Sequence, residues 1–163
     1  MAKSSYLTKL GGSEFRILRL QEAPPGRDTL DTPVGVNAYL RAQLPSSPVF
    51  MPDVENLMVV YLSTRLKPIG WSIIGIGTLN GVLVEPREVF RAAIIANAAS
   101  IILGHNHPSG DPYPSSADIQ ITRTLTAAGK LLKIEVMDHI VLGSSSPDRA
   151  QNYCSLRELG YFA

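Results

Sequence analysis

Cysteine is nearly absent: Cys154 stands alone, so no internal disulfide framework exists and a reducing compartment suits the chain. It has no Cys-x-x-Cys partner and no adjacent histidine, and reads as a small packed residue. Long apolar runs are missing as well. None approaches a membrane span, and the first residues, Met1 to Tyr6, lack the uninterrupted apolar core of a signal peptide. The expectation is a cytoplasmic protein without a membrane partner. Nor is there an excess of charge of one sign: 15 Lys and Arg against 14 Asp and Glu give a formal net charge of +1. Without a dense Lys/Arg run, the electrostatic footprint of a dedicated nucleic-acid binder is missing, and nucleic acid is not an expected partner. Internal repeats and low-complexity segments are also absent.

What is present fits one compact domain: 163 residues, 45% hydrophobic and 18% charged. Residues 1–52 read as an N-terminal extension, with a possible strand at Glu14–Leu20 and a connector at Ala23–Asp31. Thr32-Pro33 then opens a helix over about 33–44, an N-cap followed by proline at the first helical position. Val36, Tyr39, Leu40 and Leu44 form its apolar stripe, which is expected to pack on the domain that follows.

From residue 53 the texture changes. Leu57–Leu62 is a continuous apolar run of strand length, the pattern of a strand covered on both faces. Residues 69–79 make a second strand, with Gly75 and Gly77 marking a bend or a close approach, and Asn80-Gly81 signals a hairpin returning through Val82–Val84. A helix follows from Pro86, with Val89, Phe90, Ala93, Ile94 and Asn97 on its apolar face. Ile101–Gly104 is a strand. Ser116–Gly129 is a helix with Ile121, Leu125 and Ala128 inward and Gly129 as its stop. Leu131–Leu142 carries strand-like runs interrupted by Asp138-His139. Trp71 reads as a packing residue.

The stretch that concentrates chemistry is residues 101–118. It holds His105 and His107, then a loop stiffened by Pro108, Pro112 and Pro114, then Ser115 and Asp118. Side chains alternate along a strand, so His105 and His107 project to one side and Asn106 to the other. Both imidazoles can then reach one ion. A catalytic zinc takes three protein ligands and keeps a position for water, and Asp118 is the natural third ligand. Ser115-x-x-Asp118 is also a capping-box spacing, so one turn can start a helix and present a carboxylate to a metal.

Hydrolysis further needs a group to take a proton from water. Glu55, Glu85, Glu88 and Glu135 are the candidates. Glu88 is accounted for by helix-start electrostatics and Glu85 by its place before a proline-initiated helix. Glu55, at the entrance to the most buried strand, stands slightly ahead. His139 has two readings, a partner that orients a metal ligand or a buried pair with Asp138 tying strands together, and with three ligands already found the second is preferred.

His105-Asn-His107-Pro108 followed by Ser115-x-x-Asp118 resembles the JAMM (MPN+) metalloprotease signature His-x-His-Pro-x6-Ser-x-x-Asp. More narrowly, Gly77-Thr-Leu-Asn80, Pro86-Arg-Glu88, His105 through Gly110, Pro114-Ser115 and Asp138-His139-Ile140 resemble the RadC family of JAMM-domain proteins, over about residues 53–163. The resemblance implies an α/β fold of the cytidine-deaminase-like JAMM type, a curved, mainly antiparallel mixed sheet flanked by helices. It implies one zinc ion held by His105, His107 and Asp118, with Glu55 as general base and Ser115 on the oxyanion. A peptide or isopeptide amide in a protein or peptide substrate is the implied target. RadC proteins commonly carry a helix-hairpin-helix region, and residues 1–50 contain no Gly-rich hairpin between two helices. Two alternatives stay open: a non-catalytic zinc-binding scaffold or interaction protein, and a DNA-repair-associated accessory protein.

Overall fold

In the computed structural model, residues 7–10, 13–16, 21–24, 29–77 and 84–162 are described, the first two segments as backbone only. Strands β1 (Leu7–Leu10) and β2 (Ser13–Arg16) pair as an antiparallel hairpin. Where a strand is expected at Glu14–Leu20, β2 covers Ser13–Arg16, and residues 17–20 lie outside the described residues. The main sheet has six strands: β3 (Gln21–Glu22), β4 (Asn56–Leu62), β5 (Pro68–Ile76), β6 (Ser100–Asn106), β7 (Glu135–Leu142) and β8 (Tyr153–Ser155). Their spatial order is β3-β5-β4-β6-β7-β8. All neighbours are antiparallel except β6 and β7, which are parallel. Helices α1 (Pro33–Gln43), α2 (Pro86–Ile95) and α3 (Ser116–Leu132) flank the sheet.

The apolar run in β4 explains the layering. All seven of its residues are buried, and alternation divides the six apolar ones between two cores. Leu57, Val59 and Tyr61 pack with Val89, Phe90 and Ala93 of α2 and Leu125 of α3. Met58, Val60 and Leu62 pack with Val36, Tyr39 and Leu40 of α1. Helix α1 starts as its sequence predicts, with the Thr32 side chain accepting from Gly35 N and proline in the first turn. Its Leu40 is wholly buried and lies where a side chain on Gly104 of β6 would be, an added Cβ falling 2.5 Å from Leu40 Cδ1. Only glycine lets α1 sit that close to the strand leading into His105. Trp71 is a core residue, as expected.

Several boundaries differ from the sequence reading. Strand β5 shifts register between Leu57 and Met58 of its partner β4, consistent with a bend near Gly75. Gly77 follows the strand at φ +128, and the Asn80-Gly81 hairpin falls outside the described residues. Ile94 of α2 is exposed, and Asn97 lies beyond the helix in the left-handed region, so neither serves the apolar face. Gly129 does not stop α3. It stays helical because its missing Cβ lets α3 approach the Ile134 carbonyl, which a Cβ would meet at 2.5 Å, and the left-handed Lys133 ends the helix. Strand β7 continues through Asp138 and His139, both buried, with one register shift against β6 at Met137, while Leu131 and Leu132 belong to α3. A buried polar pair does not break a strand when each member finds partners inside. No helix among the described residues is long and apolar enough to cross a membrane.

Candidate metal centre

Three elements converge at the carboxyl end of β6. Residues Ile101 and Leu103 face the α2/α3 core, and by the same alternation His105 continues on that side with no exposed surface. His107 lies just past the strand, its backbone N donating to Leu142 O at 2.8 Å. The α3 N-terminus completes the set. Ser115 is its N-cap, and Asp118 accepts from Ser115 N and Ser115 Oγ, both at 2.7 Å, while Ser115 Oγ accepts from Asp118 N at 3.2 Å. The expected capping box and the expected ligand are thus the same turn.

Ligand atoms of His105, His107 and Asp118 all lie within 4.8 Å of one another. His105 Nε2 is 3.0 Å from His107 Nε2 and 3.2 Å from Asp118 Oδ1, and His107 Nε2 is 3.5 Å from Asp118 Oδ2. His107 Nδ1 is 2.7 Å from the Asp111 carbonyl. A carbonyl can only accept, so Nδ1 carries the hydrogen and the neutral ring keeps Nε2 bare toward the cluster. Asp118 Oδ1 is buried without a hydrogen-bond partner. An orphaned carboxylate oxygen beside a bare imidazole nitrogen is costly in a protein interior. A cation relieves it, and the donor set of two nitrogens and an oxygen suits a divalent metal.

The electrostatics point the same way. Burial would raise the Asp118 carboxyl, yet the two imidazoles and the Ser115 hydroxyl outweigh it and hold Asp118 well below the usual carboxylate range. Asp118, opposed by burial, raises the His107 imidazole above its ordinary value. Asp118 therefore stays anionic, and the pull it exerts on a proton at His107 is available to a metal cation.

Strand β4 delivers Glu55. Its Leu57 is directly across from His105, so the residue before the strand emerges beside the triad, with Glu55 Oε1 3.8 Å from His107 Nε2. Asn106, on the other side of β6, fixes this approach by accepting from Asn56 N at 2.9 Å and donating to Val54 O at 3.0 Å. Two of the other candidate glutamates are engaged elsewhere. Glu88 pairs with Arg91 at 3.0 Å, Glu135 with Arg157 at 3.5 Å, and Glu85 is the N-cap residue of α2.

His139 departs from the preferred reading. Asp138 and His139 do not pair through their side chains. The Asp138 carboxylate accepts from Ser155 Oγ and from the backbone N of His139 and Arg157. The His139 ring instead meets His105, Nε2 to Nδ1 at 2.8 Å, and Thr122, Nδ1 to Oγ1 at 2.6 Å. Burial holds this imidazole well below its ordinary value, and the nearness of His105 adds to the effect. The sequence reading missed Thr122, whose signal is only that it lies one helical turn after Asp118. It also missed Arg149, which donates to the carbonyls of Gly110 and Ser144 at 2.7 and 3.0 Å and braces the loop carrying His107.

Known proteins give this arrangement a family. A model described as the RadC-like JAB domain matches residues 30–161, taking in α1 as well as the whole centre. A UPF0758 protein of Desulfitobacterium hafniense is 50% identical over 108 residues, 66% of this chain and 45% of its own length. One from Methanococcoides burtonii is 46% identical over 109 residues, 67% of this chain and 45% of its own. Another, from Rubrobacter xylanophilus, is 40% identical over 136 residues, 83% of this chain and 55% of its own. The chain spans about half the length of the curated relatives it matches. On the sequence match, the mixed sheet and the clustered histidines and aspartate, the chain belongs to the RadC-like JAB domain family.

Proposed function

We propose that the chain is a zinc-dependent hydrolase that cleaves a peptide or isopeptide amide bond with water. The observation that carries this reading is the place of Glu55, whose carboxylate lies 3.8 Å from His107 Nε2 with its side chain 23% exposed, beside a triad whose Asp118 is fully buried. A carboxylate so placed meets both solvent and the cluster. His105, His107 and Asp118 hold the ion, three protein ligands being the usual complement of a catalytic zinc site. Bound there, a zinc ion lowers the pKa of water to about 7 and polarises a carbonyl oxygen.

Glu55 takes the proton of the attacking water and returns it to the leaving amine. Asp118 stays ionised through the cycle because it accepts from Ser115 N and Ser115 Oγ, which stabilise its charge. Ser115 holds Asp118 by donating its hydroxyl hydrogen to Oδ2 at 2.7 Å. A hydroxyl has one hydrogen, so Ser115 serves a developing oxyanion only when that hydrogen turns away from Asp118. The JAMM resemblance supports an amide as the scissile bond, and a protein or peptide as the substrate.

The test is metal content by mass spectrometry on the wild type and on a His105→Ala/His107→Ala variant, followed by a peptide and isopeptide panel with Glu55→Gln as control. The expected result is about one zinc per wild-type chain, lost in the double variant. Glu55→Gln is expected to keep zinc and lose turnover. A wild type that takes up no metal when zinc is supplied ends the hydrolase reading. Loss of zinc from Glu55→Gln would instead make Glu55 a ligand.

A further inference from the structure

Thr122 and His139 lie outside the triad, yet their hydrogen-bond geometry leaves little freedom in how protons are distributed around it. Thr122 Oγ1 is 2.6 Å from the Asp118 carbonyl oxygen and 2.6 Å from His139 Nδ1. The carbonyl only accepts, so the single hydroxyl hydrogen points to it; otherwise two oxygens would face each other at that distance with no proton between them. His139 Nδ1 must then donate to the hydroxyl oxygen. A neutral imidazole has one N–H, which leaves His139 Nε2 an acceptor. His105 Nδ1, 2.8 Å away, is the donor to it. The remaining nitrogen of His105, Nε2, is bare and lies 3.2 Å from the orphaned Asp118 Oδ1.

From this chain of donors we infer that Thr122 and His139 are positioning residues that lock His105 in the Nδ1–H tautomer and aim its Nε2 at the point shared with His107 and Asp118. The hydrogen bonds form an open chain. They leave Asp118 by its backbone carbonyl, pass through Thr122 and His139, and end at His105, whose bare Nε2 faces the Asp118 carboxylate at 3.2 Å without bonding to it. The chain ties one helix to two strands: α3 gives Asp118 and Thr122, β7 gives His139 and β6 gives His105. A metal ligand whose far nitrogen is held in this way keeps its ring orientation and gains basicity. The two histidine ligands reach the same tautomer by different means, His107 through a backbone carbonyl and His105 through side chains.

The inference rests on the triad being a metal centre, and the experiment separates the two. Long-range proton–nitrogen NMR of the metal-free full chain, labelled with nitrogen-15 at histidine, reads each tautomer without metal or turnover. The expected spectrum has the ring hydrogen on Nδ1 of His105 and of His139. Thr122→Val, which keeps the shape of the side chain and removes the hydroxyl, is expected to let His139 exchange tautomers and to weaken zinc binding roughly tenfold in competition with a chromophoric chelator. Thr122→Ser is expected to restore both. His139→Gln is expected to weaken zinc binding by about 10- to 100-fold. A hydrogen on Nε2 of His105 in the metal-free chain, or tautomers and zinc affinity unchanged by Thr122→Val, would overturn the relay. Tautomers as assigned in a wild type that binds no zinc would uphold the relay and overturn the metal reading.

Discussion

His105 and His107 are two residues apart and face the same point, but they belong to different kinds of surroundings. His105 is inside a strand, has no exposed surface, and is held by His139 on a neighbouring strand. His107 is on a loop, its side chain 11% exposed, and is held by the carbonyl of Asp111 on that same loop. One ligand is fixed by the core, the other by a turn braced from outside through Arg149. The difference suggests a division of labour. In the proposed centre the buried histidine would set where an ion sits, and the loop histidine, beside Glu55, would leave the side from which water and substrate approach.

The largest contrast is expected when each ring is removed in the metal-free protein and stability is measured by chemical denaturation. His105→Ala opens a cavity and leaves His139 Nε2 without its donor, an expected loss of about 3 kcal/mol. His107→Ala is expected to change stability by under about 1 kcal/mol. Equal losses would mean that the loop is as much part of the core as the strand. Next is Gly104→Ala, whose Cβ would meet Leu40 at 2.5 Å. Overpacking there is expected to cost about 1–3 kcal/mol, and combining it with Leu40→Ala should cost less than the two changes summed. Strict additivity would show that α1 does not press on β6.

On the loop side, Arg149→Ala removes the donors to Gly110 and Ser144. Zinc affinity is expected to fall roughly tenfold while stability moves by less than about 1 kcal/mol. An unchanged affinity would show that the loop holds His107 without its brace. The smallest effect is in pH. His139 is held well below its ordinary value of 6.5, so the unfolded chain takes up a proton that the folded one refuses, and stability falls as pH drops below 6.5 toward the lower folded value. His107 is raised and acts oppositely, adding stability in acid that is lost as pH rises through its folded value. Metal-free His107→Gln should therefore show a steeper acid loss of melting temperature than the wild type. A flat profile in that variant would mean that His139 titrates normally.

How much of this was legible depended on the range of the physics involved. His105, His107 and Asp118 could be read because strand alternation and a helix cap are local rules, each spanning a few residues. Glu55 was legible only faintly, since what brings it to the triad is the register of β4 on β6, with Leu57 opposite His105. Thr122 and His139 meet His105 only through the packing of α3 and β7, which no spacing encodes. Gly129 was misread because a glycine late in a helix usually ends it. Here it permits a close approach to the Ile134 carbonyl instead. Asp138-His139 looked like a break because two polar residues interrupt an apolar run. The strand continues because Ser155 and Thr122 satisfy them from either side.

The parallel pairing of β6 with β7 has a consequence for assembly. Parallel strands require a crossover, and α3 is that crossover. The hydrogen-bond chain from Asp118 to His105 therefore forms only when contacts across 34 residues, from His105 to His139, have closed. Closing such loops is paid for in chain entropy and sets the pace of folding. An ion that needs the assembled ligands binds the native state and scarcely the unfolded one. At a hundredfold excess over its dissociation constant it would add about 2.7 kcal/mol to the unfolding free energy. The melting temperature of the domain is in this sense a gauge of occupancy at its centre.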